Sequence, residues 1–582
     1  MKELSSQYNP RDVEDKIYQT WEKSGFFNPD RLPKRSAPSL SRGYSKNFSI
    51  VVPPPNITGS LHMGHALNAT IQDILIRKKR MEGFKTIWLP GTDHASIATQ
   101  YVVEKELKKE GLTRYDLGKE KFLERVWQWK EKYGTTILEQ FKKLGASMDW
   151  SRTRFTMDPE YQKSTAQAFL HYQKKGWIYQ GEKTVNWCIR CATSLSDLEI
   201  EYKDEDAIMY YIKYGPLVIA TVRPETKLGD TAIAVNPKDE RYSKYIGQEL
   251  TIETVLGPAK MKVVGDEEVD TEFGTGAMKV TPAHDMHDYE LSEKHNLEKK
   301  QVIGPDGKMT ALAGKYAGLK VKEARNQIVE DMTTLGILIK TEPYKHKVAI
   351  CYRCGTTLEP ILSKQWFLKM GVLAQRAIAT VKKGQIKFHP KRWEKVYFDW
   401  LKNIRDWPIS RQLWWGQRLP VYFCKNKPEK LKTQPSSPEP QVEGNSKLKI
   451  EEKKFIVSAK RPSKCPFCKS CKTEQSADIF DTWFSSALWP MATLGWPQKT
   501  KDFKDFYPTS VLSTARDIIN LWVARMILSG LEFTQKEPFK DALIHATILT
   551  KDGKRMSKSL GTGVDPIDLI NRYGADATRF GL

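Results

Sequence analysis

Two segments of this chain have residue types and spacings suited to phosphate chemistry. His62-Met-Gly-His65 sets two imidazoles three residues apart around a glycine. It follows a short apolar, β-rich run, Phe48 to Val52, closed by Pro53, Pro54 and Pro55, and it precedes a helical pattern from Ala66 to Met81. A strand that hands over to a helix N-terminus offers unpaired N–H groups and a positive dipole end, which suits a phosphate. Gly64 lets a nucleotide approach the backbone, and two imidazoles on one helix face can donate to a phosphoryl group. A metal pair or two packing histidines would use the same spacing. Far downstream, Lys551-Asp-Gly-Lys-Arg-Met-Ser-Lys-Ser-Leu-Gly561 forms a Gly/Ser/Lys loop before an apolar helix pattern. Taken alone it reads as a solvated charged loop.

A third set is cysteine. Cys188-Ile-Arg-Cys191 and Cys351-Tyr-Arg-Cys354 stand at the two ends of a β-rich stretch, and Cys424, Cys465, Cys468 and Cys471 complete the eight. Paired Cys-x-x-Cys spacing in a reducing compartment points to metal. The first two knuckles predict a tetrahedral zinc site that closes the neck of an inserted domain. Four thiolates leave no open position, so the site is structural.

The elements that must position these groups follow from the pattern. Val13, Ile17 and Trp21 mark an amphipathic opening. Thr86-Ile-Trp-Leu89, followed by Pro90-Gly-Thr-Asp-His94, repeats the strand-to-turn theme, and residues 100–180 are helical in pattern. Near 186 the texture changes, and 207–340 holds short strand-like runs such as Leu217 to Val222 and Ala232 to Val235, separated by Gly/Pro turns. Residues 425–464 are polar and rich in Pro, Ser and Lys, and read as a mobile surface insertion. The expected class is α/β, a Rossmann-like parallel-sheet core split by an inserted β-rich domain, with cysteine-knuckle subdomains. The boundaries expected are 1–186 for the first half of the core, 187–355 for the insertion, 356–500 for a connective region with the second cysteine cluster, and 501–582 for the second half.

Bulk properties agree. With 582 residues, 40% of them hydrophobic, several cores are expected and global disorder is excluded. The 93 Lys+Arg against 70 Asp+Glu give +23, which favours a polyanionic partner, although Lys-rich solvated helices would give the same sum. The N-terminus lacks an apolar signal region and no run of 18 apolar residues occurs, so a cytoplasmic protein without a membrane span is expected.

Together, His62 to His65 flanked by PPPNITGS and the Arg555-Met-Ser-Lys-Ser559 loop flanked by LGTGVDP resemble the HIGH and KMSKS motifs of class I aminoacyl-tRNA synthetases. The resemblance implies ATP-dependent formation of an aminoacyl-adenylate, with Mg²⁺ as the counterion of ATP. His62 and His65 would stabilise the transferring α-phosphate, while Lys558 with Arg555 would hold the leaving pyrophosphate. Family members usually carry Lys where this chain has Arg555. Gly64, His545, Met556, Ser557 and Ser559 would line the nucleotide.

Within that family, Gly91-Thr-Asp-His-Ala-Ser-Ile-Ala-Thr-Gln100, Asp481-Thr-Trp-Phe-Ser-Ser486, Arg411 to Gln417 and Ala515 to Met526 resemble the valyl pattern, and an isoleucyl member would read closer to GWDCHGLP. By that resemblance Pro53, Pro54, Trp483 and Trp522 wall the amino-acid pocket, Asp93 pairs with the substrate ammonium and Asn56 orients it. Two indoles and rigid prolines suit a β-branched side chain. Ser96, Pro408 and Thr562-Gly563 depart from the family pattern at positions that carry no chemistry.

A stiff apolar slot rejects threonine poorly, and the valyl enzymes are the standing example of this limit. Thr221-Val-Arg-Pro-Glu-Thr226 and Gly274 to Asp285, followed by Asp288, resemble the family's editing motifs. They imply hydrolysis of threonyl-tRNA(Val), with Asp285 on the amine and Arg223, Thr226, Lys279, Thr281 and Asp288 reading the side chain. The family often shows two complete knuckles around Cys424. Here Lys427 stands in the partner's place, and Cys471 is expected to complete a second zinc site with Cys424, Cys465 and Cys468. The implied partners are tRNA(Val), valine and ATP, and a monomer is expected. The resemblance covers nearly the whole chain and halts at Arg572 to Leu582, where family members continue into an anticodon-binding domain. A fragment or split gene is therefore expected, which leaves an isoleucyl-type enzyme or a non-charging tRNA-binding or editing protein as alternatives.

Overall fold

Short apolar runs from the two ends of the chain build one parallel sheet. The computed structural model describes residues 9–32, 46–424, 455–469, 472–553, 556 and 563–582. Most of the expected 425–464 insertion lies outside the described residues, as do Cys471, Arg555, Ser557, Lys558 and Ser559. The chain forms two units, one from residues 1–178, 368–406 and 414–582, the other from 179–367 and 407–413. The second unit thus begins before residue 187, ends after residue 355 and takes in a short return segment. The sequence placed boundaries at 356–500 and 501–582, whereas those stretches fall, apart from 356–367 and 407–413, in the first unit with residues 1–178.

In the first unit, β1 (Asn47–Val51), β2 (Lys85–Leu89), β3 (Lys387–His389), β4 (Thr509–Ala515) and β5 (Phe539–His545) lie in the order β3-β5-β4-β1-β2, all parallel. After the first residue, every position of β1 and β2 is buried, as a parallel sheet flanked by helices requires. The register runs from Asn47↔Lys85 to Val51↔Leu89, and β1 meets β4 at Ile50↔Val511. From β1 the chain proceeds through α1 (Met63–Met81) to β2 on one side, and from β4 it proceeds to β5 on the other. Loops leaving β1 and β4 therefore part at their carboxyl ends, which opens the crevice where such sheets bind ligands.

Helices α1, α2 (Ser96–Lys109) and α3 (Arg114–Lys143) pack into one core with the sheet, in which Ile50, Ala66, Ile76, Trp88, Val103, Phe122, Val126 and Ile137 are buried together. At the turn after β2 the backbone approaches closely. Residues Gly91–Thr92 pair in parallel with Arg154–Phe155. A Cβ on Gly91 would fall 2.4 Å from the Arg154 carbonyl oxygen and 2.5 Å from the Trp489 ring. That indole in turn donates to the Val52 carbonyl at 2.8 Å.

The second unit is β-rich. A long hairpin-like ribbon pairs Ile200–Tyr214 with Leu338–Cys351 and Leu217–Thr221. A four-stranded mixed sheet runs Glu249–Ile252, Ala259–Gly265, Ala232–Val235, Ala277–Val280 in that spatial order. Ile212, Tyr214, Ile219, Ile233, Val235, Val263 and Ile328 fill its core.

Gly91→Ala is expected to destabilise the first unit by about 1–3 kcal/mol, because the added methyl meets backbone that cannot yield. Gly134→Ala inside α3, where a Cβ has nothing within 4 Å, should be neutral or stabilising by up to about 1 kcal/mol. Denaturant unfolding followed by tryptophan fluorescence compares the two, and equal midpoints would refute the packing argument.

Candidate functional site

The first site gathers at the carboxyl ends of β1, β2 and β5. The sequence placed both imidazoles of the His62/His65 pair on a helix face. In the structure His62 lies outside the helix, as its N-cap in extended conformation, where its side chain can accept an otherwise unpaired N–H of the first turn. The rings still meet, with centroids 3.9 Å apart, because the two residues cap reciprocally. Nδ1 of His62 accepts the Gly64 N–H at 3.1 Å and Nδ1 of His65 accepts the His62 N–H at 3.2 Å. Both acceptors are the δ nitrogens, so each neutral ring carries its proton on Nε2 as a donor. A side-chain methyl at position 64 would strike the His62 ring at 2.9 Å, which ties Gly64 to this stacking. At the end of β5, His545 donates from Nδ1 to the Ala546 carbonyl at 2.8 Å, and burial lowers its pKa, which leaves a neutral ring with Nε2 as acceptor. Met556 is half-buried.

After β2 the chain delivers Asp93. Its backbone is locked beside Asn56: Asp93 N–H donates to Pro55 O at 2.9 Å and Ile57 N–H donates to Asp93 O at 3.2 Å. The carboxylate is 3% exposed. Oδ1 accepts the Ala95 N–H at 2.7 Å and the Thr156 hydroxyl at 3.5 Å, and Oδ2 accepts the Ser486 hydroxyl. Its sole ionic neighbour among the described residues is the His94 ring at 3.4 Å, which burial holds neutral by lowering its pKa. A buried carboxylate with three donors and no standing cation is electrostatically incomplete. Trp522, 2% exposed and carried by the π-helical turn Ile519–Val523, donates its indole N–H to the Ser486 carbonyl at 3.0 Å. Ser486 thus ties an indole wall to the carboxylate. Trp483 is half-buried, and its N–H is capped by Asp481 at 3.1 Å; Pro53 and Pro54 are half-buried at the end of β1. Ser486 and Thr156 escaped the sequence reading, since serine and threonine are too common for their type to mark them.

The second unit brings together Thr226, Lys279, Thr281, Asp285 and Asp288. Lys279 Nζ donates to Thr226 Oγ1 at 3.1 Å and to Thr281 Oγ1. Asp288 Oδ2 accepts the Thr281 N–H at 2.7 Å. Asp285 is exposed and caps the helix Met286–His295, accepting the N–H groups of His287 at 2.8 Å and Asp288 at 3.1 Å. Arg223 is bound on two sides, to Glu225 at 3.2 Å and to Glu359, so most of its donors are committed within the protein. Glu225 is shared with Arg325 at 2.8 Å. Glu225 lies within the Thr221 to Thr226 motif, whereas Glu359 and Arg325 have no spacing that would announce them. Burial, then the like charge of Asp285, pushes the Asp288 carboxyl up to about 7. Burial, then the Arg223 charge, holds His284 down to about 3, so it stays neutral and bridges the Pro360 carbonyl and the Val302 N–H.

The sulfurs of Cys188, Cys191, Cys351 and Cys354 all lie within 4.8 Å of one another, and those of Cys188 and Cys354 are 3.4 Å apart. A tetrahedral ion with bonds of about 2.3 Å needs sulfurs about 3.8 Å apart, so the cluster fits one zinc ion with little adjustment. Cys424, Cys465 and Cys468 form a second such group, with Cys424 and Cys468 at 3.5 Å.

With this geometry in view, the chain can be set beside known proteins. The family model of class I tRNA synthetases (I, L, M and V) matches residues 16–582, and the chain belongs to that family. A Valine--tRNA ligase of Carboxydothermus hydrogenoformans is 51% identical over 585 residues, covering 100% of this chain and 62% of that protein. One from Thermotoga maritima is 48% identical over 589 residues, covering 100% and 64%. The chain thus spans less than two thirds of the length of these relatives. A LeuRS of Agrobacterium radiobacter K84, solved as a ternary complex with tRNA and LeuAMS, aligns with a TM-score of 0.49 at 16% identity, covering 98% of this chain and 72% of that one. The α/β fold with a parallel sheet and β-rich regions is that of the family. No helix among the described residues is long and apolar enough to cross a membrane.

Asp288 makes stability depend on pH in a defined direction. Its folded pKa, about 7, lies above the ordinary carboxylate value of 3.8. The neutral form is therefore favoured by the fold, and its contribution is complete below about pH 4 and lost as pH rises through 7. Asp288→Asn keeps an acceptor for the Thr281 N–H and cannot ionise. Relative to the parent it should gain stability between pH 5 and pH 8, read from paired denaturant titrations; a pH-independent difference would refute the assignment.

Proposed function

We propose that this chain activates valine with ATP, transfers it to tRNA(Val), and hydrolyses threonyl-tRNA(Val) in its β-rich unit. The observation that carries the activation step is Asp93. A carboxylate buried among hydroxyls, with no lysine or arginine paired to it among the described residues, would be completed by the ammonium of an amino acid. Valine rather than isoleucine is supported by the names of relatives at 48% and 51% identity. Work in the cytoplasm is supported by cysteines spaced for metal rather than for disulfides.

The chemistry follows from position. The valine carboxylate attacks the α-phosphate of ATP, the bond to the bridging oxygen breaks, and pyrophosphate leaves. His62 and His65, with their Nε2–H groups, and the N-terminus of α1 stabilise charge on the non-bridging α-phosphate oxygens. Gly64 keeps that approach open. Arg555 and Lys558 hold the leaving pyrophosphate, with Ser557 and Ser559 beside them, while His545 and Met556 flank the nucleotide. Mg²⁺ accompanies ATP as its counterion. Trp483, Trp522, Pro53 and Pro54 size the pocket, and Asn56 orients the amino acid.

His65→Ala and Lys558→Ala should each lower valine-dependent ATP–pyrophosphate exchange by about 10²–10³-fold, the usual loss for one donor to a developing charge. Asp93→Asn should weaken valine by about 2–4 kcal/mol, seen mainly in KM. Isoleucine in place of valine should support little exchange. Exchange that is unchanged in all three variants, or faster with isoleucine, would overturn this reading.

We propose that Cys188, Cys191, Cys351 and Cys354 hold a structural zinc ion, and that Cys424, Cys465 and Cys468 hold a second with Cys471. Metal analysis should find between one and two zinc ions per chain. Cys351→Ser should remove one of them and lower the unfolding midpoint without changing the KM for ATP. A chain with less than one zinc ion rejects both sites.

A further inference from the structure

Helix α3 grips the loop between β1 and α1 at two points. The Trp129 indole N–H donates to the Ile57 carbonyl at 2.7 Å, and the Ile57 N–H in turn donates to the Asp93 carbonyl at 3.2 Å. Eleven residues further along α3, about three turns and about 16 Å up its axis, Gln140 accepts the Leu61 N–H at 2.7 Å, one residue ahead of His62. The first contact holds the amino-acid side of the loop and the second holds its phosphate side. Gln140 is 5% exposed, and no sequence motif marks it.

The same amide reaches a second segment. Its Nε2 donates to the Asp565 carboxylate, at 3.0 Å to Oδ1 and at 3.2 Å to Oδ2. Asp565 caps the helix Pro566–Tyr573, with Oδ1 also accepting the Ile567 N–H at 2.9 Å. Ile570 of that helix is buried in one core with Ile137 and Phe141 of α3. Chemistry dictates how the amide is turned. A backbone N–H needs an acceptor and a carboxylate needs a donor, so a reversed amide would lose both partners. Glutamine supplies an acceptor and a donor in one head group. Glutamate at this position would satisfy Leu61 and repel Asp565, and an apolar side chain would satisfy neither.

We propose that Gln140 is a positioning residue for adenylate formation, which holds the His62/His65 turn and the start of the helix Pro566–Tyr573 in one register. The proposal rests on the reading of the first unit as the one that activates valine. In that reading His62 serves the α-phosphate, and Leu61 adjoins it. Lys558 serves the pyrophosphate and precedes Asp565 by seven residues. Both groups must address one triphosphate chain at the same moment, and a misplacement of about 1 Å in such an alignment costs about 10²-fold in rate. Gln140 bonds the backbone that leads into the first group and the cap that follows the second. It touches no substrate, and its effect falls on ATP because Trp129 holds the amino-acid side of the loop separately.

The test measures valine-dependent ATP–pyrophosphate exchange by the full chain. Gln140→Glu keeps an acceptor for Leu61 and sets a second carboxylate against Asp565. It should raise the KM for ATP by tenfold or more while moving the KM for valine less than threefold. Adding Asp565→Asn supplies an amide whose nitrogen donates to the introduced carboxylate and whose oxygen still caps Ile567. The pair should bring the KM for ATP back to within threefold of the parent. Gln140→Met fills the same space without a donor or a strong acceptor. It should raise the KM for ATP in the same way and gain nothing from Asp565→Asn, and it decides the matter if Gln140→Glu fails to fold. A purely structural role would raise both KM values in step. That result, an unchanged KM for ATP, or a Gln140→Glu defect that Asp565→Asn leaves in place overturns the proposal. A parent chain without exchange removes the activation reading and the proposal with it, whereas an active parent whose variants behave in any of those three ways removes the proposal alone.

Discussion

The first unit depends on the pairing of β1 with β4. These strands come from segments more than four hundred residues apart, and their backbones meet at Ile50↔Val511. Side chains secure the seam: Ser49 donates to the Phe506 carbonyl at 2.8 Å, the Ser49 N–H donates to Ser510 at 3.0 Å, and Asn68 on α1 donates to the Ser513 carbonyl at 3.0 Å. All these groups are at least partly shielded from water, so a slip of one residue would leave several of them unpaired at about 1–3 kcal/mol each. Because the seam is also the place where the strand order reverses, the same pairing that closes the sheet opens its binding crevice. His62 and His65 after β1 and His545 at the end of β5 stand at the same edge of this parallel sheet.

Asp93 and Asp230 are both acidic groups held out of water, and they differ in whether the chain supplies a counter-charge. At Asp93, hydroxyls and an N–H hold the carboxylate in place but supply no net charge. That arrangement supports the proposed pairing of Asp93 with a substrate ammonium. At Asp230, Lys279 lies 3.5 Å away, so a counter-charge is already present.

Much of this was legible in the sequence where the determinant is local. The run Phe48 to Val52, stopped by prolines, marks β1 to within a residue, and the four Cys-x-x-Cys positions at 188–191 and 351–354 converge as their spacing implies. The placement of His62 on a helix face was not right, since three-residue spacing does not reveal that the first imidazole is a cap. The edge of the second unit was also misplaced. The strand Ile178–Cys188 lies beside Glu359–Leu368, a pairing between segments far apart that no composition change signals, so the boundary read at 187 falls inside a strand.

Residues such as Ser486, Thr156 and Asp230 could not be singled out from sequence, and the reason is physical. A catalytic motif is visible because several uncommon residues must share one short stretch. A positioning residue needs only one acceptor or donor at the right place, and any of dozens of serines or aspartates could supply it. Its identity emerges once the hydrogen-bond directions are traced, because a buried hydroxyl has one proton to give and the structure shows where it goes. Tracing those protons shows that the Thr226 and Thr281 hydroxyls of the β-rich unit point inward, to the Arg223 carbonyl and to Asp230, and that both oxygens receive Lys279.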